Sequence, residues 1–312
     1  MKIIFMGTPD FAVGTLEALT EAGHRITLAV TQPDKPKGRG HSVQYTPVKE
    51  AAVRLGIPVY QPQKIRSEES VRYLESIEAD VIVVVAFGQM IPKSILEMKK
   101  YGCINVHASL LPKYRGAAPI QWAVINGEKE SGVTIMQMDE GLDTGDMLTK
   151  VVVPLDEKET GGSLFDKLSA AGAKLCAETL DMLELGGTTP EKQGESPTDY
   201  ASMLTKEMGK IDWTKSAVSV ERLVRGLNPW PSAYTKLNGK NLKIWECQVV
   251  SADASKGVCG EILEVTKDSM IVQTGEGALA VKALQLEGKK RMDAGAFLRG
   301  FSVETGTILG AE

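Results

Sequence analysis

Histidine is almost missing from this chain, with three in 312 residues, at His24, His41 and His107. Cysteine is sparse too. Cys103, Cys176, Cys247 and Cys259 are scattered without CxxC spacing, which argues against a zinc site and a secreted disulfide framework and fits a reducing cytosol. No internal repeat, low-complexity tract or long apolar span is present, so solenoid, disordered and membrane-spanning classes fall away. Neither GxGxxG nor GxxxxGK[ST] occurs, and Gly7-Thr8-Pro9 resembles a nucleotide loop only faintly, which disfavours a dehydrogenase and a nucleotide-triphosphate site. The chain opens directly on an apolar strand, Lys2 to Gly7, and reads as soluble, untargeted and cytoplasmic. A formal net charge of -4 speaks against a globally basic nucleic-acid binder.

The balance is uneven along the chain. From Lys206 to Glu312 there are 15 Lys and Arg against 13 Asp and Glu, giving +2, while the rest of the chain carries -6. With 43% apolar and 24% charged residues, the composition is globular, and this length suggests about two domains.

Up to about residue 150, short apolar runs alternate with helix-like segments, the pattern of βα units around a parallel sheet. "KIIFMG", "RITLAVT" and "ADVIVVVAF" are the clearest strands. Val81 to Phe87 is continuously apolar, as befits a central strand covered on both faces. Ligands of such sheets sit beyond the carboxyl ends of the strands, which directs attention to Gly7-Thr8-Pro9, Gly88-Gln89-Met90 and the stretch around His107. Gly161 to Leu185 reads as one long helix ended by Gly186-Gly187. The polar "GGTTPEKQGESPTDY" that follows is the best linker candidate. Beyond it, a helix around Val218 to Leu227 and short β-rich runs suggest a small barrel. The expected division is 1–189, a linker over 190–205, and 206–312.

Asn105 and His107 stand two apart, so an extended segment sends both side chains from one face. An imidazolium and an amide can then converge on one oxyanion. Asp143, between Gly141 and Gly145 in "GLDTGD", can aim a carboxylate at the same point, orient His107 and assist removal of an amine proton. This set serves acyl transfer without a metal or a covalent intermediate. Spacing alone leaves open a satisfied structural histidine with a turn aspartate. The loop Ser109 to Pro119 can offer backbone groups to a planar heterocycle, with Lys113 and Arg115 nearby for carboxylate or phosphate. The long stretch Thr31 to Lys49 carries Lys35, Lys37, Arg39 and His41, and a basic loop at the ligand edge suits a phosphate-rich partner. Trp230, between two prolines, reads as a packing residue.

Together "MGTPDFAV", "TQPDKPKGRG", "AFGQMIP", "NVHASLLPKYRGAAPIQWAVINGEKESGVTIMQMDEGLDTGDML" and "RGLNPWPSAY" resemble the methionyl-tRNA branch of the folate-dependent formyltransferase family over nearly the whole chain. The resemblance implies a doubly wound, Rossmann-like α/β domain with a C-terminal OB-like β-barrel. It implies transfer of the formyl group of 10-formyltetrahydrofolate to the α-amino group of methionine on initiator tRNA, with Asn105, His107 and Asp143 catalytic. It further implies a folate pocket at Ser109, Leu110, Leu111 and Pro112, lined on the pterin side by Phe87, Gly88, Gln89, Met90 and Ile91. The basic loop, through Lys35, Lys37 and Arg39, would enter the tRNA acceptor end, and the barrel, through Lys206 and Arg299, would contact the tRNA backbone. No metal and no membrane are expected, and the chain is expected to act as a monomer. Formyltransferases acting on glycinamide ribonucleotide and hydrolases of formyltetrahydrofolate share the core, without need of the C-terminal part or the basic loop. A sugar-nucleotide formyltransferase shares both domains, and a non-enzymatic RNA-binding protein is the alternative from another class.

Overall fold

A computed structural model describes residues 1–37, 42–250 and 257–311. The chain divides into two compact units, the first comprising Met1–Pro119, Glu130–Pro154 and Phe165–Ala201, and the second the remainder. In chain order, the elements up to the long helix are β1 (Lys2–Gly7), α1 (Asp10–Glu21), β2 (Arg25–Val30), β3 (Lys35–Lys37), β4 (Ser42–Gln44), α2 (Pro47–Arg54), β5 (Val59–Tyr60), α3 (Glu68–Ser76), β6 (Val81–Val85), α4 (Lys93–Leu96), β7 (Cys103–His107), α5 (Pro119–Ile125), β8 (Glu130–Gln137), β9 (Met147–Pro154) and α6 (Gly161–Glu184).

Seven strands of the first unit form one sheet in the order β5-β2-β1-β6-β7-β8-β9. The first five are parallel, and β8 and β9 run antiparallel. The continuous Val81–Val85 run is buried at every position, because β1 and β7 flank it and helices cover both faces. Ile4, Met6, Leu28, Val30, Ile82 and Val84 build the core on one face with Ile65, Leu74 and Ile95. Each such side chain contributes about 1.5–3 kcal/mol of burial free energy. On the other face Phe11 meets Phe165 edge-on at 5.3 Å. Helix starts are fixed by side-chain caps, Thr46 accepting from the Lys49 amide and Ser67 from that of Ser70, each worth about 1 kcal/mol. The chain winds from β1 outward to β5 and returns to β6, so the switch point lies between β1 and β6, with the carboxyl end of β7 beside it.

The stretch expected as a long loop, Thr31 to Lys49, carries the short antiparallel ladder β3/β4, pairing Lys35 with Gln44 and Lys37 with Ser42. Residues 190–201 belong to the first unit and are hydrogen-bonded along it.

The second unit holds α7 (Ala217–Gly226), β10 (Ala233–Leu237), β11 (Lys240–Val250), β12 (Ile262–Val265), β13 (Met270–Gln273), β14 (Ala278–Leu286), β15 (Met292–Asp293) and α8 (Ala294–Gly300). Its antiparallel sheet runs β10-β11-β14-β13-β12, with β15 paired to β14. Bulges around Glu246 interrupt the β11/β14 register, which bends and twists the long strand. Val220 and Val224 of α7 join Leu242, Ile244, Leu279 and Val281 in its core. The Trp213 indole donates to the Thr235 hydroxyl at 3.0 Å.

Candidate active site

Strand β7 ends at His107 and is buried throughout. Its two-residue period places Asn105 and His107 on one face, 8% and 6% exposed. Among the described residues the Asn105 side chain makes no hydrogen bond, and its polar atoms are not among the sealed, unpartnered ones. A sealed amide without a partner costs about 1–3 kcal/mol, so this open position leaves Asn105 a donor at little cost.

His107 is held from two sides. Its Nε2 lies 3.0 Å from the carbonyl oxygen of Tyr114. A carbonyl only accepts, so Nε2 carries the proton. Nδ1 faces Asp143 Oδ1 at 3.7 Å, beyond hydrogen-bonding distance. The other carboxylate oxygen of Asp143 accepts the Gly116 amide at 2.9 Å. The expected convergence of Asn105, His107 and Asp143 is therefore narrowed to one ring atom. With Nε2 engaged by the Tyr114 carbonyl, Nδ1 is the ring nitrogen that stays available, and the Asp143 carboxylate lies beside it.

Asp143 has φ of 55°, a left-handed conformation that costs about 1–3 kcal/mol and persists only where surroundings impose it. The Asp139 carboxylate accepts the Gly141 amide at 3.0 Å and the Thr144 hydroxyl at 2.8 Å, closing one side of the turn. Gly145 closes the other, where a Cβ would collide with the carbonyl oxygen of Gln137.

The loop after β7 is braced rather than loose. The Ser109 hydroxyl donates to Lys113 O at 2.7 Å, and Thr134 Oγ1 donates to Ser109 O at 2.7 Å while accepting the Leu111 amide at 3.1 Å. Leu111 packs with Met136 and Met147; Leu110 and Pro112 are half-buried. Arg115, expected near a carboxylate or phosphate, instead donates to Gln193 Oε1 and Gly194 O, each at 2.9 Å. At the end of β6, Phe87 and Ile91 are buried in the core. The Gln89 side chain accepts the Ile65 amide at 2.7 Å and donates to Pro62 O at 3.2 Å. Gly88, Gln89 and the 75% exposed Met90 line a cleft of about 380 Å³ with Gln32, Gln63, Lys64 and Arg66.

Of the basic loop, Lys35 and Lys37 lie on β3, and Arg39 and His41 fall outside the described residues. Lys206 and Arg299 are exposed on the second unit. Trp230, expected to pack, is 55% exposed. Among the described residues no group of His, Cys, Asp and Glu is arranged to hold a metal ion, and no helix is long and apolar enough to cross a membrane. Sequence reasoning missed Tyr114 O, the Gly116 amide and Gln193. Their only sequence signal is the glycine in "YRGAAP".

Residues 1–180 match the profile of the family described as formyl transferase, and 203–302 match that described as formyl transferase, C-terminal domain. The chain is 62% identical over 309 residues to the methionyl-tRNA formyltransferase of Agathobacter rectalis, covering 99% of each. It is 57% identical over 314 residues to that of Lachnospira eligens, covering 99% of this chain and 100% of the relative. Among solved structures, the N-formyltransferase of Helicobacter canadensis in complex with folinic acid and dTDP-3-aminofucose superposes with a TM-score of 0.67 at 18% identity, covering 90% of this chain and 98% of that one.

Proposed function

The chain belongs to the formyl transferase family, and on that premise we propose that it carries the formyl group of 10-formyltetrahydrofolate to the α-amino group of methionine on initiator tRNA, in the cytoplasm and as a monomer. The observation that carries the reading is the His107–Asp143 pair beside the unpartnered Asn105 amide, at the carboxyl end of β7. Full-length identity to relatives named for methionyl-tRNA favours this acceptor over an amino-sugar nucleotide, whose enzymes resemble the chain in fold alone.

In the reaction, the neutral amine lone pair attacks the formyl carbon and the carbonyl electrons move onto oxygen. Asn105 and the Nδ1 proton of His107 stabilise that oxyanion, as preorganised donors do for developing charge. Asp143 holds the imidazolium and accepts the amine proton through a water molecule. The oxyanion electrons then re-form the carbonyl as the carbon–N10 bond breaks, and Asp143 returns the proton through the water to N10, so tetrahydrofolate leaves neutral at that nitrogen. The folate lies along Ser109–Pro112 and residues 87–91. Lys35, Lys37 and Arg39 meet the acceptor end, while residues 206–312, through Lys206 and Arg299, meet tRNA backbone by shape and phosphate. In this reading residues 1–189 form the catalytic domain, and 190–205, braced against the first unit as far as Ala201, leads on to the second.

A competition assay tests the acceptor. With 10-formyltetrahydrofolate as donor, methionyl-tRNA and a dTDP-amino sugar are offered together. The expected product is formylmethionyl-tRNA; formylation of the sugar alone contradicts the reading.

A further inference from the structure

The segment 191–201 is hydrogen-bonded to the start of β9, to the Asp143 turn and to the 114–118 loop. Glu191 and Met147 exchange two backbone hydrogen bonds of 2.8 Å at the start of β9. Gln193 Nε2 donates to Asp143 O at 2.9 Å and to Gly145 O at 2.7 Å, while its Oε1 accepts from Arg115. The orientation of this amide is unambiguous, since carbonyls only accept and a guanidinium only donates. Thr198 Oγ1 accepts the Tyr114 amide at 2.8 Å. Ala201 accepts the amides of Ala117 and Ala118 and donates to Arg115 O.

These hydrogen bonds fall on the two loops that matter. Tyr114 supplies the carbonyl holding His107 Nε2, and Gly116 supplies the amide holding Asp143 Oδ2. Tyr114 and Asp143 are both left-handed non-glycine residues, at φ of 56° and 55°. Strained residues of this kind require imposed partners.

We infer that Gln193 is a positioning residue for Asp143. Its carboxamide spans the turn on both sides of Thr144 and ties it through Arg115 to the loop that holds His107. The inference rests on the reading of Asp143 as the group that pairs with His107 and takes up the amine proton. Gln193 touches no reacting atom in this arrangement. Its effect is to fix the 3.7 Å gap between Asp143 and His107, a distance on which rate depends steeply.

The test compares Gln193→Met, which keeps length and loses the carboxamide's hydrogen bonds to Asp143, Gly145 and Arg115, with Gln193→Glu, which sets a carboxylate against two carbonyl oxygens. Asp143→Ala runs alongside, all in the full chain with 10-formyltetrahydrofolate and methionyl-tRNA. For Gln193→Met, kcat is expected to fall about 10-fold, as for loss of one or two net hydrogen bonds, with both KM values within about 2-fold of the parent. For Gln193→Glu the fall at pH 8 is larger. Its activity relative to the parent at the same pH recovers toward pH 5, where a protonated carboxyl supplies one donor. A Gln193→Met enzyme with parental kcat, a Gln193→Glu ratio flat in pH, or equal losses in kcat and KM overturns the inference. If Asp143→Ala itself keeps parental activity, the reading of Asp143 fails, and the inference with it. Loss in Asp143→Ala beside full activity in Gln193→Met sinks the inference alone.

Discussion

His107 donates through Nε2 to the carbonyl oxygen of Tyr114, 3.0 Å away and seven residues along the chain. One ring nitrogen is thereby committed to the fold, and Nδ1, which faces Asp143, is the one left for the proposed reaction.

Replacing His107 with Ala removes both roles. The rate of formyl transfer is expected to fall by roughly 100-fold or more, as for loss of an electrostatic or acid–base group, while tRNA affinity stays near the parent value. Loss of the hydrogen bond from Nε2 to Tyr114 O adds an expected stability loss of about 0.5–1.5 kcal/mol, read from urea unfolding. A rate within a few-fold of the parent contradicts the assignment.

Gly145→Ala drives a methyl group into the Gln137 carbonyl, and the Asp143 turn has to shift. The expected result is a kcat loss of about 100-fold, since a misplacement of about 1 Å at a reacting centre has that effect, with folate binding retained. Unchanged kcat shows that the turn does not set the geometry.

Neutralising Lys35, Lys37 and Arg39 together to Gln is expected to weaken tRNA binding and flatten its salt dependence. The slope of log K against log salt falls in magnitude by roughly 2, at about 0.7 for each phosphate that is no longer neutralised. An unchanged slope removes the basic loop from the tRNA interface.

His24 is 6% exposed, and its Nδ1 lies 3.2 Å from the α-amino nitrogen of Met1. Burial first, then that ammonium, hold its pKa below the ordinary 6.5, against the opposing pull of Asp181 and Glu184. The unfolded chain therefore takes up this proton more readily than the folded one. The stability His24 contributes is full above about pH 6.5 and is lost as pH falls through the lower folded value. The melting temperature is expected to drop between pH 7 and 5, and to drop less in His24→Asn, which has nothing to titrate there. Parallel declines count against the assignment.

The parallel half of the fold is legible because its signal is local. Val81–Val85 announces a strand buried on both faces, and the two-residue spacing of Asn105 and His107 announces a shared face. The antiparallel pair β8/β9 and the short ladder β3/β4 carry no such mark, since their pairing is settled by partners rather than by an apolar period. Asp143 is readable from its flanking glycines. Gln193 is not, because it lies 50 residues from Asp143 in a polar stretch whose composition reads as linker. Only folding brings its amide to the two carbonyls of the turn. Arg115 shows the same limit, its charge spent on Gln193 and Gly194 rather than offered to a ligand.

The central claim, formyl transfer to methionyl-tRNA at the His107–Asp143 pair, is tested most directly by a single-turnover reaction. Enzyme in excess over methionyl-tRNA is mixed with 10-formyltetrahydrofolate carrying a labelled formyl carbon, for the parent and for Asp143→Ala. The expected result is label on the methionine α-nitrogen with the parent, and a rate lower by roughly 100-fold or more with the variant at equal tRNA occupancy. No labelled formylmethionine from the parent, or the same rate from both proteins, contradicts it.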